Sequence, residues 1–355
     1  LDQHDVIMSV IFLDIKGFTS ITEKHKENAM KIVNYIWSEV GKIIKKNDGK
    51  INKFIGDACL IIFPENKQNN KYLSGYKAFL SSTKILQSVP KINTGLNAKF
   101  NPEKNPDKVI DFNFRIGFDS GVVTMGKTGT DDNYELGVIG DTVNTASRFE
   151  ALNKQYHTNL LMTDGALKRL SVGLIKVYHD AKLKNIDNIN AFLIEKFGLS
   201  LLKIDKARPK GKKEPKDMIT IIMKDKPKVF SFIGDDTKYD ENLIPSYMRL
   251  YKIFQDSVGR WKPYIENKNS NISSENLNVL RNQASRYWFQ LSKSFAKLYF
   301  EDKFPLCEHF MRILLKYDEF EKCLKDYEVW KTKKFGETKE PGIDWITYGS
   351  IELDK

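Results

Sequence analysis

The stretch Val6-Ile7-Met8-Ser9-Val10-Ile11-Phe12-Leu13-Asp14-Ile15-Lys16-Gly17-Phe18-Thr19 decides the fold. Residues 6 to 13 are short and largely apolar, which reads as a strand buried on both faces. The run stops at Asp14, so a carboxylate is expected where strand gives way to loop. Gly17-Phe18-Thr19 then opens the segment before a helix, where main-chain N–H groups can cradle phosphate oxygens. A glycine at this point also serves a plain turn.

Working outward, Ile32, Val33, Ile36, Trp37, Val40, Ile43 and Ile44 recur at helical spacing, and Asn47-Asp48-Gly49 ends that helix. Ile51–Phe54 and Ala58–Phe63 read as two strands around a tight Ile55-Gly56-Asp57 turn, a β-hairpin that carries a second carboxylate. A helix is expected near Tyr72–Gln87. The polar stretch from Pro90 to Lys108, with Pro102 and Pro106, reads as a loop. Phe112–Phe118 alternates, and Asp119-Ser120-Gly121 is expected to turn into Val122–Lys127. Asp141–Leu152 reads as a helix with Asp141 in its N-terminal turn. Two more β/α pieces reach Lys196. The order β-α-ββ-α-ββ-α-β predicts an α/β (α+β) layer fold of the ferredoxin-like type over residues 1–200.

Residues 203–216 are basic, contain Pro and Gly, and have almost no apolar side chains, so 201–216 is read as a solvated linker. A phosphate-contacting arm is the other reading of that run. Residues 217–355 are expected to form a mainly helical C-terminal domain of unknown role, with helices over Asn242–Ile265, Glu275–Phe300 and Leu306–Trp330. Leu277, Leu280, Ala284, Tyr287, Trp288, Leu291, Phe295 and Leu298 lie at helical spacing on the middle one. They read as a bundle face or an oligomer interface.

The chain has 355 residues, enough for two ordinary domains, and 41% hydrophobic content argues for packed cores. Nothing approaches the apolar length of a membrane helix. The opening residues lack a basic-then-apolar leader pattern, and a short piece is expected ahead of Leu1 because the chain enters a strand almost at once. Three widely spaced cysteines, Cys59, Cys307 and Cys323, form no disulfide framework and no metal-ligand spacing. A soluble cytoplasmic protein is expected. The net charge of +11 raises nucleic acid as a partner, yet no base-reading module or aromatic-basic strand motif is present. An anionic substrate accounts for part of the charge.

A second block, Gly140-Asp141-Thr142-Val143-Asn144-Thr145-Ala146-Ser147-Arg148, places an amide and a guanidinium four residues apart on one helical face. With Asp14 and with Lys53-Phe54-Ile55-Gly56-Asp57, it resembles the catalytic domain of class III nucleotidyl cyclases, the adenylyl and guanylyl cyclase family. The resemblance covers roughly residues 5–200.

It implies conversion of a nucleoside triphosphate to a 3′,5′-cyclic nucleotide and pyrophosphate with two divalent cations, Mn²⁺ or Mg²⁺. In the family's pattern Asp14, Asp57 and the Ile15 carbonyl are metal ligands, and Gly17, Phe18 and Thr19 meet the phosphates. Asn144 orients the ribose and Arg148 neutralises charge at the α-phosphate. Lys184 matches a triphosphate-binding lysine, although Asn185 stands where the family has glycine. Arg115, in Arg115-Ile116-Gly117, is a further triphosphate candidate; a strand-end arginine is also often plain surface.

Lys53 stands where adenylyl cyclases carry a base-reading lysine and guanylyl cyclases a glutamate. Its usual Asp or Thr partner position is Gly137, which has no side chain to accept from an adenine amine. Glu135, on the same strand face, is the nearest substitute. The missing partner points to a compact bacterial antiphage branch that makes cyclic CMP or cyclic UMP from CTP or UTP. The alternative is an adenylyl cyclase acting on ATP. An inactive nucleotide sensor is a third reading, against which Asp14, Lys53, Asp57, Asn144 and Arg148 are all in place. Family sites are shared between two catalytic domains, and this chain holds both halves, so a homodimer is expected. The activator and the reader of the product are not identified by the sequence.

Overall fold

Alternation along β1 (His4–Lys16) divides its side chains between two cores. Ile11, Leu13 and Ile15 join Ile61, Phe63, Phe114, Ile116 and Phe118 in the larger core. Val6, Met8 and Val10 join Leu60, Ile62, Val123 and Met125 on the opposite face. Burial on both faces explains the nearly continuous apolar run. The strand continues two residues past Asp14, whose parity puts it on the face of Val10 and Phe12.

The computed structural model describes residues 3–65, 71–130, 132–209, 214–223, 243–268, 272–301, 306–334, 336–341 and 351–353. They group into two units. The first takes in Leu1–Lys154, Thr158–Lys203 and the strand portion from Met218; the second takes in Gln155–His157, Ile204–Asp217 and the C-terminal helices.

In the first unit β1 is followed by α1 (Phe18–Lys24), α2 (Ala29–Lys46), β2 (Lys50–Ile55), β3 (Ala58–Pro64), α3 (Ser74–Phe100), β4 (Asn113–Gly129) and β5 (Tyr134–Ile139). Then come α4 (Asp141–Tyr156), β6 (Leu160–Thr163), α5 (Asp164–Tyr178), α6 (Ile186–Phe197) and, each divided between the two units, β7 (Leu199–Pro209) and β8 (Lys216–Met223). The strand order is β2-β3-β1-β4-β6-β8, with β5 paired to β4. Both β3 and β4 run antiparallel to β1, with Asp14 opposite Ala58 on one side and Arg115 on the other. Helix α2 buries Ile32, Val33, Ile36, Trp37, Val40 and Ile44, as its spacing predicts.

Three expectations are corrected. First, Pro90–Lys108 is not a loop: α3 runs through Pro90 to Phe100. Pro90 removes one helical N–H, but Val89, Ile92 and Leu96 keep the apolar stripe buried. The polar residues there act as connectors. Asn93 bonds both ways with the backbone of Phe112, and Asn97 both ways with that of Ile110.

Second, Asp119-Ser120-Gly121 is not a turn, since β4 pairs with β1 straight through it. Asp119 is fully buried and tolerated because its Oδ1 accepts from Ser120 N–H at 2.8 Å and from the Thr163 hydroxyl. Third, the basic stretch read as a linker holds β7 up to Pro209 and the start of β8 at Lys216. The grouping of the chain changes inside these strands, at 203/204 and 217/218. Residues 210–213 of that stretch lie outside the described residues.

The second unit contains α7 (Leu243–Val258), α8 (Lys262–Asn267), α9 (Ser274–Phe300), α10 (Leu306–Leu314), α11 (Tyr317–Lys325), α12 (Tyr327–Trp330) and β9 (Ile351–Leu353). Two of the three expected helices are therefore broken, the first into two pieces and the last into three. On α9, Ala284, Trp288, Leu291, Phe295 and Leu298 are buried, whereas Leu277, Leu280 and Tyr287 are half-buried. The core is aromatic, with Trp261 and Trp288 edge-to-face at 5.3 Å and Phe254 and Phe310 at 5.2 Å.

Inside this unit Asp205 is fully buried, accepting from the hydroxyls of Tyr156 and Tyr251 and from Lys206 N–H. Burial pushes its carboxyl up to about 7, against the lowering effect of those hydrogen bonds.

Two expected outcomes follow from these contacts. Asn97→Ala strands the Ile110 N–H and C=O and should cost about 2 kcal/mol in denaturant unfolding; a loss below about 0.5 kcal/mol would show the ladder to be incidental. Between the ordinary carboxyl value of 3.8 and about 7, unfolded Asp205 has shed its proton while folded Asp205 keeps it. Stability should therefore fall as pH rises through that window and level off above it. The difference in melting temperature between Asp205→Asn and the parent chain should grow across the window; a constant difference would remove Asp205 as the cause.

Candidate active site

The β2–β3 hairpin turns on Gly56-Asp57, with Ile55 paired to Ala58. Because β3 lies beside β1, this turn comes back to the end of β1, and Ile15 N–H donates to the Asp57 carbonyl at 3.4 Å. The two candidate metal carboxylates, 43 residues apart in the chain, are thus neighbours, the count being the difference 57 − 14. Asp14 is nearly buried and Asp57 is half-buried.

Helix α4 crosses the same face of the sheet. A Cβ on Gly117 would fall 1.9 Å from the Ala146 carbonyl oxygen and 2.3 Å from Glu150 N, so only glycine admits the helix backbone this close. One pleat earlier on β4, Arg115 shares the face of Gly117. Its NH2 group donates to Asp14 Oδ2 and its Nε to Glu150 Oε1 at 2.9 Å. The guanidinium therefore bridges two carboxylates, one from β1 and one from α4. Glu150 was not singled out from the sequence; its signal was its place two residues after Arg148 in the same motif helix.

Burial raises the Asp14 carboxyl above its ordinary range; Arg115 pulls it back and the charge of Asp57 adds to the rise. Glu150 is raised too, by burial and then by the charge of Asp14. Burial works against the Arg115 charge, but Asp14 and Glu150 outweigh it and hold the guanidinium protonated.

Asn144 and Arg148 lie on one face of α4, Asn144 exposed and Arg148 half-buried. Among the described residues no carboxylate pairs with Arg148, unlike Arg115. Gly17 caps α1 with φ of 89°, a left-handed conformation that favours glycine, and leaves Thr19 exposed beside half-buried Phe18.

Lys53 on β2 reaches across to β5, where its Nζ lies 2.9 Å from Glu135 Oε1. Asn52 Nδ2 donates to the Leu136 carbonyl at 3.0 Å in the same crossing. Gly137 lies two residues from Glu135 on one pleat face, opposite Gly126. Lys184 is exposed between α5 and α6 and is joined to none of the other candidates. Asn185, found where glycine was expected, caps α6 by accepting from Asn188 N–H at 2.9 Å.

The donor set suits a hard cation: two adjacent carboxylates and the Ile15 carbonyl, with Glu150 behind them. Among the described residues no three acidic, His or Cys side chains close into a cage, so further oxygens would have to come from a ligand. Triphosphate oxygens are of that kind.

Residues 2–195 match the sequence profile of the adenylate and guanylate cyclase catalytic domain, more than half of the chain. The chain belongs to that family. An adenylate cyclase of Anabaena cylindrica is 32% identical over 165 residues, covering 46% of this chain and 31% of the relative. The terminal-differentiation specific adenylate cyclase of Dictyostelium discoideum is 27% identical over 173 residues, covering 47% and 7%. The chain thus spans less than a third of either relative. Among solved structures, the adenylyl cyclase CyaB from P. aeruginosa superposes with a TM-score of 0.46 and 19% identity over 62% of this chain and 96% of that one.

Removing the shared cation should expose the repulsion it screens. Arg115→Ala should melt well below the parent chain, by roughly 2 kcal/mol of stability. Millimolar Mn²⁺ should then restore more of the melting temperature in the variant than it adds to the parent. Equal Mn²⁺ shifts in both proteins would mean that the carboxylates do not take the metal.

Proposed function

We propose that this chain is a nucleotidyl cyclase, converting a nucleoside triphosphate to its 3′,5′-cyclic monophosphate and pyrophosphate. The observation that carries the reading is the meeting of Asp14 and Asp57 at the end of β1, on the sheet face crossed by α4. Asp14, Asp57 and the Ile15 carbonyl are the ligands we assign to two divalent cations, Mg²⁺ or Mn²⁺. Bound there, such ions make the ribose hydroxyl more acidic and offset charge on the leaving pyrophosphate.

The chain's own groups do the rest. The backbone at Gly17, Phe18 and Thr19 receives the terminal phosphates. Asn144 holds the ribose ring oxygen by donating from its amide, which points the 3′-hydroxyl at the α-phosphorus. As the 3′-hydroxyl releases its proton to solvent, its oxygen bonds to that phosphorus and the bond to the bridging oxygen breaks, while Arg148 faces the growing charge on the α-phosphoryl oxygens. Arg115 can leave Asp14 for the triphosphate once a cation replaces it. Lys184 is the further triphosphate contact we assign.

Carboxylates and reading groups sit in the same chain, and the working unit we propose is a homodimer with shared sites. Ile55, Val122 and Ile139 on β2, β4 and β5 are exposed apolar side chains available to it. For the base, Gly137 supports a pyrimidine substrate, CTP or UTP, and with it the antiphage signalling role. The names of the curated relatives and the Lys53–Glu135 pair support ATP as the second reading.

Asp14→Ala and Arg148→Ala chains should each be inactive with every triphosphate in Mn²⁺. Mixed in equal amounts and allowed to exchange, they should regain roughly a quarter of parental activity, since half the dimers carry one intact site of two. Folded, dimeric mixtures that stay dead would rule out shared sites. Product mass from each triphosphate alone identifies the base.

A further inference from the structure

Gly137 is not an empty position. A Cβ built on it would lie 1.8 Å from Thr128 Oγ1 and 2.7 Å from Thr128 Cβ. The Thr128 hydroxyl, reaching diagonally across the β4–β5 ribbon, fills the place where a side chain at 137 would begin. Register explains the reach: Gly126 faces Gly137 and Thr128 faces Glu135, so all four share one pleat face. Lys53 joins that face through its 2.9 Å bond to Glu135.

Three different hydrogen-bonding characters therefore meet at one spot. Lys53 only donates, Glu135 only accepts, and the Thr128 hydroxyl does either. All three are at least partly open to solvent, and the buried glycine lies beneath them.

We propose that Thr128 is a specificity-determining residue for the base, and that Lys53, Glu135 and Thr128 together select amino bases over keto bases. This rests on the cyclase reading and on Lys53 as the base contact. Adenine and cytosine each place an exocyclic amine, a donor, next to a ring nitrogen that accepts. Guanine and uracil carry the reverse order, a carbonyl next to a ring N–H. Lys53 donates to the ring nitrogen, and Thr128 accepts from the amine while its own O–H donates a hydrogen bond to the acceptor-only Glu135. A keto base would set its carbonyl against oxygen lone pairs and its ring N–H against an ammonium. Polar sites left mispaired in this way discriminate strongly. The glycine has a purpose in this arrangement, because any side chain at 137 would displace Thr128. CTP and ATP supply the same edge, and CTP is the one compatible with the pyrimidine reading.

The test compares the parent chain, Thr128→Val and Thr128→Ser with ATP, CTP, GTP and UTP, each alone in Mn²⁺. Binding of the four triphosphates in Ca²⁺ is measured in parallel by calorimetry. The parent should prefer ATP or CTP, and which one names the source of the edge. Thr128→Val, unchanged in melting temperature, should lose on the order of tenfold or more of the kcat/KM ratio of that substrate to UTP. The loss should fall mainly in KM, and Thr128→Ser should recover most of it. A parent that prefers GTP or UTP overturns the proposal, as does Thr128→Val with an unaltered ratio. Should no triphosphate yield a cyclic product, the cyclase reading fails by itself. The calorimetric preference for amino bases, and its loss in Thr128→Val, still decides the role of Thr128.

Discussion

The pairing of β1 with β4 is the constraint on which the candidate site depends. It runs unbroken from His4 opposite Met125 to Lys16 opposite Asn113. Because side chains alternate with a period of two, one register fixes every assignment along both strands. Asp14 is set opposite Arg115, and Arg115 and Gly117 are set beneath α4. A slip of one residue would turn Asp14 into the larger core and bring a neighbouring apolar side chain to the site. Such a slip is costly, since it would bury Asp14 where Leu13 or Ile15 now packs and pull Ser9 away from its hydroxyl partners Ser74 and Ser120. The placement of the chemistry is thus a by-product of hydrophobic registration.

The same constraint explains which parts were legible in the sequence. Asp14, the β2–β3 hairpin and α4 are local: an apolar run, a Gly-Asp turn and helical spacing each declare themselves within a few residues. The errors came where a distant partner rescues an unfavourable local signal. Asn93 and Asn97 look like loop residues until the backbone of Ile110 and Phe112 arrives to meet them. Asp119-Ser120-Gly121 reads as a turn until Thr163 and the β1 ladder satisfy it. Lysines of residues 203–216 suggested solvent, but the buried Leu202, Ile204 and Ala207 of β7 carry enough apolar surface for a strand. Arg115 was legible as a candidate; its bridging of Asp14 to Glu150 was not, since no spacing rule links positions 14, 115 and 150.

Buried polar groups in the second unit follow another logic. Glu319 accepts from Trp330 Nε1 at 2.8 Å and Lys333 Nζ at 2.9 Å, and Trp288 Nε1 finds Ser257 Oγ at 3.1 Å. Each ties an aromatic ring to one polar partner, which fixes the orientation of a core built from large side chains. Asp205 and His309 are different. Burial holds His309 down at about 3 while it raises Asp205, so two potential charges lie 3.9 Å apart with the ionised form of each disfavoured. The surrounding tyrosines give Asp205 hydrogen bonds but no countercharge.

Arg115 resolves the corresponding problem at the site in the opposite way. Burial raises both Asp14 and Glu150, and the charge of Asp57 adds to the first while that of Asp14 adds to the second. With no cation between them, one carboxyl would take up a proton and lose its value as a ligand for a hard metal. The guanidinium opposes both rises by lying between them, and does so from a half-buried position in which burial works against its own charge. It is a resident countercharge, the one that a divalent ion would replace under the proposed reading of the site. A site that takes metals together with a substrate, as we propose for this one, would need such a placeholder whenever the substrate is away, and β4 carries Arg115 on the same pleat face that lets α4 approach.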